Sequence, residues 1–185
     1  MPPPPKSKPS TKLILTTNSL RNTTISDATD AIYYEIRTEP WIPLHTKVKR
    51  LDPETREFEV KAEIQRFGDQ PEVRVTARGK EWARATDFLR IDEVEGGGFL
   101  GDDGRIYRWQ VNKERLELVR ADTDQLEPPV LIQHKHKRHF LVFRMSKHAW
   151  LEVRPELHGT LDSVILSYLL VERKRRHVGK DLGAL

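Results

Sequence analysis

The chain has no cysteine among its 185 residues. That excludes disulfides, thiolate nucleophiles and Cys-based zinc sites, and nothing argues for an oxidising compartment. Long apolar runs are missing too: the greasiest stretch, 161–171, falls well short of the roughly 20 residues that cross a bilayer. Met-Pro-Pro-Pro-Pro-Lys at the start carries no apolar core for export. The expectation is therefore an intracellular protein, cytoplasmic or nuclear, in which Asn22-Thr23-Thr24 is an unused glycosylation match. No Gly-x-Ser-x-Gly is present, and the glycine-rich 96–104 segment lacks the Gly-Lys-Ser/Thr that grips nucleotide phosphates. Ser146-Lys147-His148 offers reactive residue types without a triad pattern. Acidic residues around 92–103 read as solvated turns, since nothing fixes the separation that paired glycosidase carboxylates need. The sequence thus spells no catalytic residue and no cofactor, and the chain is expected to be non-enzymatic.

What is present is charge, unevenly spread. The formal net charge is +4. Lys6, Lys8 and Lys12 contribute +3 and the segment from Glu172 onward another +3, which leaves −2 for residues 13–171. A slightly acidic body argues against nucleic acid as partner. Residues 1–11 are Pro, Lys and Ser, a composition that cannot offset its own ordering entropy, so they read as a disordered arm. A Pro run can dock on an aromatic groove, which keeps protein partners open, although PPPP lacks a full ligand pattern.

From Lys12 to Val153 the pattern is strands. Alternation or turn punctuation marks 12–17, 31–38, 45–51, 57–66, 72–77, 80–83, 99–100, 105–111, 115–120, 129–135, 138–145 and 149–153. In 57–66, Phe58, Val60, Ala62 and Ile64 alternate with charged or polar residues, as in a strand with one wet face. Asp52-Pro53-Glu54-Thr55 is a turn, and 86–89 has room for a helical turn.

The last element is different. Over 160–176 the residues Leu161, Val164, Ile165, Leu166, Tyr168, Leu169, Leu170 and Val171 leave almost no polar side on a helical wheel, so the helix must be buried all round. Burying eight such side chains is worth on the order of 10–20 kcal/mol gross. Thr160 suits its N-cap and Asp162 its first turn, while Arg173, Lys174, Arg175 and Arg176 suit the negative end of the dipole. The same basic run also matches a nuclear-import signal or a contact with an anionic membrane surface. About twelve short antiparallel strands and one fully apolar helix predict a closed antiparallel barrel, mainly β, with the helix in its lumen. The expected domain is 12–178, with a tail at 179–185. Trp41, Trp82, Trp109 and Trp150 are scattered among strands and read as barrel packing.

Twelve strands followed by a hydrophobic C-terminal helix resembles the tubby-like fold of tubby C-terminal domains, phospholipid scramblases and plant LURP-one-related proteins. More closely, "LILTTNSLRNTTISDATDAIYYEI", "VKRLDPETREFEV" and "KHKRHFLVFRMSKHAWLEV...TLDSVILSYLLVERKRR" resemble a family of uncharacterised fungal proteins of that fold, a domain of unknown function. The resemblance covers 13–176. It implies the fold and brings no activity with it.

Residues 128–151 contain no acidic residue but hold Lys135, Lys137, Arg138, Arg144, Lys147, His134, His136, His139 and His148. A hairpin tip at His136-Lys137 would gather this charge at one end of the barrel. Tubby domains bind phosphoinositide headgroups, so the resemblance implies an anionic-lipid site made of Lys135, His136, Lys137, Arg138, His139 and Lys147, with a peripheral membrane location. The bland alternative is a solvated turn that protects an edge. His134, His136 and His139 also have metal-ligand chemistry, but the neighbouring cations oppose it and no metal is expected. A protein-interaction scaffold using the arm and the acidic loop is the competing function.

Overall fold

Alternating apolar residues do build one sheet around the helix. The computed structural model describes residues 9–40, 45–67, 70–79, 81–90, 97–113, 115–123, 129–135 and 148–181, with the side chains of 66, 67, 70, 135 and 177–181 excluded. In chain order the strands are β1 (Thr11–Leu15), β2 (Thr23–Ser26), β3 (Tyr33–Thr38), β4 (His45–Leu51), β5 (Phe58–Phe67), β6 (Gln70–Val75), β7 (Ala83–Arg84), β8 (Gly98–Leu100), β9 (Ile106–Asn112), β10 (Arg115–Arg120), β11 (Val130–Lys135) and β12 (Trp150–Val153). A short helix α1 (Ala85–Phe88) follows β7, and α2 (Leu161–Asp181) ends the described chain. All twelve strands form one antiparallel sheet in the order β7-β6-β5-β4-β3-β2-β1-β12-β11-β10-β9-β8. It is a meander in two arms joined where β1 meets β12, with Leu13 opposite Leu151.

Most expected strands are present within a residue or two of their predicted bounds. The count of twelve nevertheless hides an exchange. β2 is absent from the sequence expectation because its four residues sit among Asn, Thr and Ser that read as turn. The strand expected at 138–145 lies outside the described residues. The Asp52 turn is as predicted: its carboxylate accepts the amides of Glu54 at 2.7 Å and Thr55 at 3.1 Å. Those bonds hold its carboxyl below the usual range.

Helix α2 sits where its composition requires. Ile165 and Leu169 are 0% exposed, and every residue from Ser163 to Glu172 is buried. Inward residues of the strands, among them Leu13, Tyr34, Ile36, Trp109, Leu118 and Leu151, form one core with it. Of its buried polar residues, Ser167 donates to the Val164 carbonyl at 2.8 Å and accepts from the Trp109 indole at 2.9 Å, while the Tyr168 hydroxyl is buried without a hydrogen-bond partner among the described residues. Register shifts at Val48/Lys49 and Leu118/Val119 help the sheet to curve.

The closed barrel is the expectation that fails. The ladder is open, with β7 and β8 as its edges and no pairing between them among the described residues. β7 has two residues and the chain then turns into α1, so a side-chain plug replaces the last row of hydrogen bonds. Phe88 of α1 stacks on Phe99 at 6.0 Å, and the Arg78 guanidinium lies 4.9 Å over the Phe88 ring. Arg78 also donates to the Leu100 carbonyl of β8. Arg90 and Gly98 exchange two backbone bonds of 2.9 Å that cover part of the β8 edge.

Because α2 is enclosed, Leu169→Ala is expected to cost about 2–5 kcal/mol. Urea unfolding followed by circular dichroism measures this. A cost within a few tenths of a kcal/mol would mean that the position is not packed.

Candidate functional site

The expected basic tip is only bracketed by the described residues. Lys135 pairs in register with Trp150, and Gln133 and His134 with Glu152 and Leu151. The side chain of Lys135 and all of His136, Lys137, Arg138, His139 and Lys147 lie outside the described residues. What is fixed is the end of the sheet at which β11 stops and β12 starts.

That end follows from strand direction. The Thr11 hydroxyl at the start of β1 is 3.5 Å from His158, in the turn that leads into α2. β1 therefore starts at the N-terminal end of α2 and runs toward its C-terminal end. Antiparallel pairing then assigns every connection. The β1–β2 and β9–β10 turns and the end of β11 belong with the C-terminus of α2. The β2–β3, β4–β5 and β8–β9 turns and the end of β10 belong with its N-terminus.

The two ends carry opposite charge. At the N-terminal end lie Asp27, Asp30, Asp52, Glu54, Asp103 and Asp122, with Arg56, Arg78 and Arg105 among them. At the C-terminal end lie exposed Arg21, Lys113 and Arg115, with Arg173, Lys174, Arg175 and Arg176 of α2. Glu39, Glu172 and Asp181 are the acids there among the described residues of those connections and of the helix end. Each set of charges opposes the near pole of the helix dipole. Charge is thus separated by sign along the axis of α2.

The basic run of α2 does not end the helix, which continues to Asp181. Three of its arginines bind inward. Arg173 donates to the Leu20 carbonyl at 2.6 Å, and Arg176 to the carbonyl of Asn18, so both hold the β1–β2 turn. Arg175 and Arg176 meet the Glu172 carboxylate at 2.9 and 3.0 Å. Beside it, His134 Nδ1 is 4.0 Å from Glu172, and the imidazole stands edge-on to Tyr168 at 5.5 Å. His134 therefore faces the core, away from any solvent-side metal trio. Among the described residues no group of three or more metal-ligating side chains occurs.

The N-terminal end is a polar joint. Thr160 does not cap α2 with its hydroxyl; a 3-10 turn (Pro155–Thr160) runs straight into the helix, and Thr160 Oγ1 accepts the Asp102 amide at 2.7 Å. Ser163 donates to Asp102 at 2.7 Å, and Arg78 is 3.6 Å from the same carboxylate. A Cβ at Gly101 would stand 2.5–2.7 Å from Asp103, Tyr107 and Thr160, so the turn needs glycine to approach the helix. Asp162 takes the Tyr34 hydroxyl at 2.5 Å and Arg50 at 3.3 Å. Burial and then the Asp162 carboxylate raise the Tyr34 phenol. Burial and the hydrogen bond to Asp103 push Tyr107 up to about 12. These groups join helix to sheet and offer no activated nucleophile.

The tryptophans divide. Trp109 is core, as expected. Trp82 instead lies on the outer face, with the Arg74 guanidinium 4.9 Å over it and His45 at 5.9 Å. Trp150 is also outside, half-buried beneath Lys12, whose ammonium is 4.7 Å from the ring. Trp41 lies outside the described residues. The outward places of Trp82 and Trp150 correct the reading of all four as packing. Period-two alternation against Leu151 and Val153 was the available signal for Trp150.

The fold and its ends define a mainly β protein, one antiparallel sheet enclosing a buried C-terminal helix, with charge of opposite sign at the two poles. A model for a family of unknown function, DUF6593, matches residues 18–177, and the chain belongs to that family. No curated protein and no solved structure matches it. Among the described residues no helix is long and apolar enough to cross a membrane.

The raised phenols make a pH prediction. Tyr107 keeps its proton in the folded state above the ordinary 10.0, so the stability it contributes is present below pH 10 and is lost as pH rises toward about 12. Tyr34 acts in the same direction. The urea midpoint should therefore fall between pH 10 and 12, less steeply in Tyr107→Phe. A midpoint flat across that range would contradict the assignment.

Proposed function

We propose that the protein is a non-enzymatic binding module of tubby-like plan whose basic pole engages anionic phospholipid headgroups, phosphoinositides foremost. One observation carries the reading: cations gather at the pole where β11 ends and β12 begins. In the sequence, Lys137, Arg138 and Lys147 of the acid-free stretch 128–151 fall between the end of β11 and the start of β12, and we assign them to that pole. Cations presented together toward a flat anionic surface add, at about 1 kcal/mol per basic residue near it. The proposed likeness to fungal tubby-like proteins points the same way. The opposite pole, with its acids tied into turns, suits solvent.

Co-sedimentation with vesicles tests it. Wild type should bind phosphatidylcholine vesicles that contain phosphoinositide and leave pure phosphatidylcholine in the supernatant. Rising salt should weaken the binding. A Lys135, Lys137, Arg138 triple alanine variant should bind roughly 100-fold more weakly, the equivalent of about 3 kcal/mol. Equal, negligible pelleting with both vesicles would end the lipid reading and leave the scaffold role with protein partners.

A further inference from the structure

We propose that Ile14 and Trp150 form an apolar wedge that enters the headgroup region of an anionic bilayer beside the basic pole. This rests on the lipid reading above and adds to it a second, uncharged contact made by the outer wall of the sheet.

The register places the two residues side by side. Ile14 of β1 is the direct partner of Trp150 of β12, and both belong to the outward set that alternates with buried Leu13, Leu15 and Leu151. Directly paired side chains on one face stand about 4.5–5.5 Å apart at Cβ, close enough to form one surface. Ile14 is 37% exposed although it is β-branched and apolar. The other exposed large hydrophobics, Phe58, Leu100 and Ile106, lie at strand ends of the acidic pole. Among the described residues, Ile14 is thus the large apolar side chain left in water near the basic pole.

The indole has the chemistry of an interfacial residue. Trp150 presents an apolar body with a polar edge, the combination that favours the water–lipid boundary. Its Nε1 donates to Glu152 Oε1 at 3.3 Å, which settles the N–H without burying the ring in the core. Lys12 lies across one ring face at 4.7 Å, a long stem whose ammonium can move to a phosphate while its methylenes stay on the indole. His148 and Arg21 are exposed on the flanking connections. A wedge of one aromatic and one aliphatic residue, with Lys12 over the indole and Arg21 on the neighbouring connection, fits an anionic bilayer even though the Glu152 carboxylate holds the indole N–H, because cations without apolar area bind reversibly at the surface and apolar area without cations does not select for charge.

The test uses the full chain and vesicles of two parts phosphatidylcholine to one part phosphatidylserine. Wild-type emission should shift to the blue on binding and be quenched by lipids brominated near the top of the acyl chain. Trp150→Phe, which keeps an aromatic ring for folding, should bind but lose that shift and quenching. Trp150→Ala and Ile14→Ser should each weaken binding by roughly tenfold, with unfolding midpoints near wild type. Soluble inositol hexakisphosphate should leave the emission unchanged. Binding that persists in both variants at wild-type strength, with no quenching difference in Trp150→Phe, would overturn the wedge and leave the basic pole standing. The same blue shift with the soluble phosphate would overturn it too, since the signal would then come from anion binding alone. No binding of wild type to these vesicles would overturn the wedge, while the phosphoinositide co-sedimentation above decides the basic pole separately.

Discussion

Enclosure of α2 is the constraint from which the other features follow. A helix with apolar side chains on every side has no stable position on a flat face, since half of it would meet water. The sheet answers by curving until its inward residues surround the helix, and two register shifts and an aromatic plug complete what the ladder leaves undone. Apart from the Tyr168 hydroxyl, which has no hydrogen-bond partner among the described residues, the helix can then make polar contacts only at its ends and through its serines. Those contacts are made: Ser167 with Trp109, Ser163 and Asp162 at one end, Glu172 and the arginines at the other.

This geometry also explains the charge pattern. Side chains on the outer face of the sheet alternate in small cross-strand ion pairs such as Lys49–Glu35 at 3.3 Å and Lys47–Glu39 at 3.4 Å, partly exposed and of small energetic weight. Net charge therefore collects at the ends, where turns and helix termini lie. Acids gather where turn chemistry and the positive helix end both favour them, and arginines gather where open carbonyls need donors. The basic pole is in this sense a by-product of folding that is available for recognition, and the inward bonds of Arg173 and Arg176 show that part of it is already spent on structure.

The core helix was legible because composition alone dictates its burial; its extension to Asp181 was not, since Arg173 to Arg176 read as an ending. Strands with clear alternation were legible, whereas Thr23–Ser26 was not, because four residues among Thr and Asn give a turn signal stronger than any period of two. Barrel closure was inferred from the helix's need for an apolar surround, and that need is met without closure. A two-residue β7 and the Phe88 plug satisfy the same hydrophobic demand by side chains, which no pattern of strands announces. At the candidate site, the density of cations was visible in sequence, but the pole at which β11 stops and β12 starts required strand direction. The outward Trp150 was hidden by the habit of assigning tryptophan to cores.

The pairing of β1 with β12 sets a timetable for synthesis. Strands β1 to β7 have greasy inner faces, yet the partner on the far side of β1 and the helix that fills the centre are made only after all of them. Until residue 161 and beyond leave the ribosome, the half-built sheet has nothing to wrap. Such non-local closure slows folding and lengthens the interval in which unpaired edges can aggregate. Nascent chains of this architecture are natural clients for chaperones, and a premature stop before α2 would yield an insoluble fragment rather than a smaller domain.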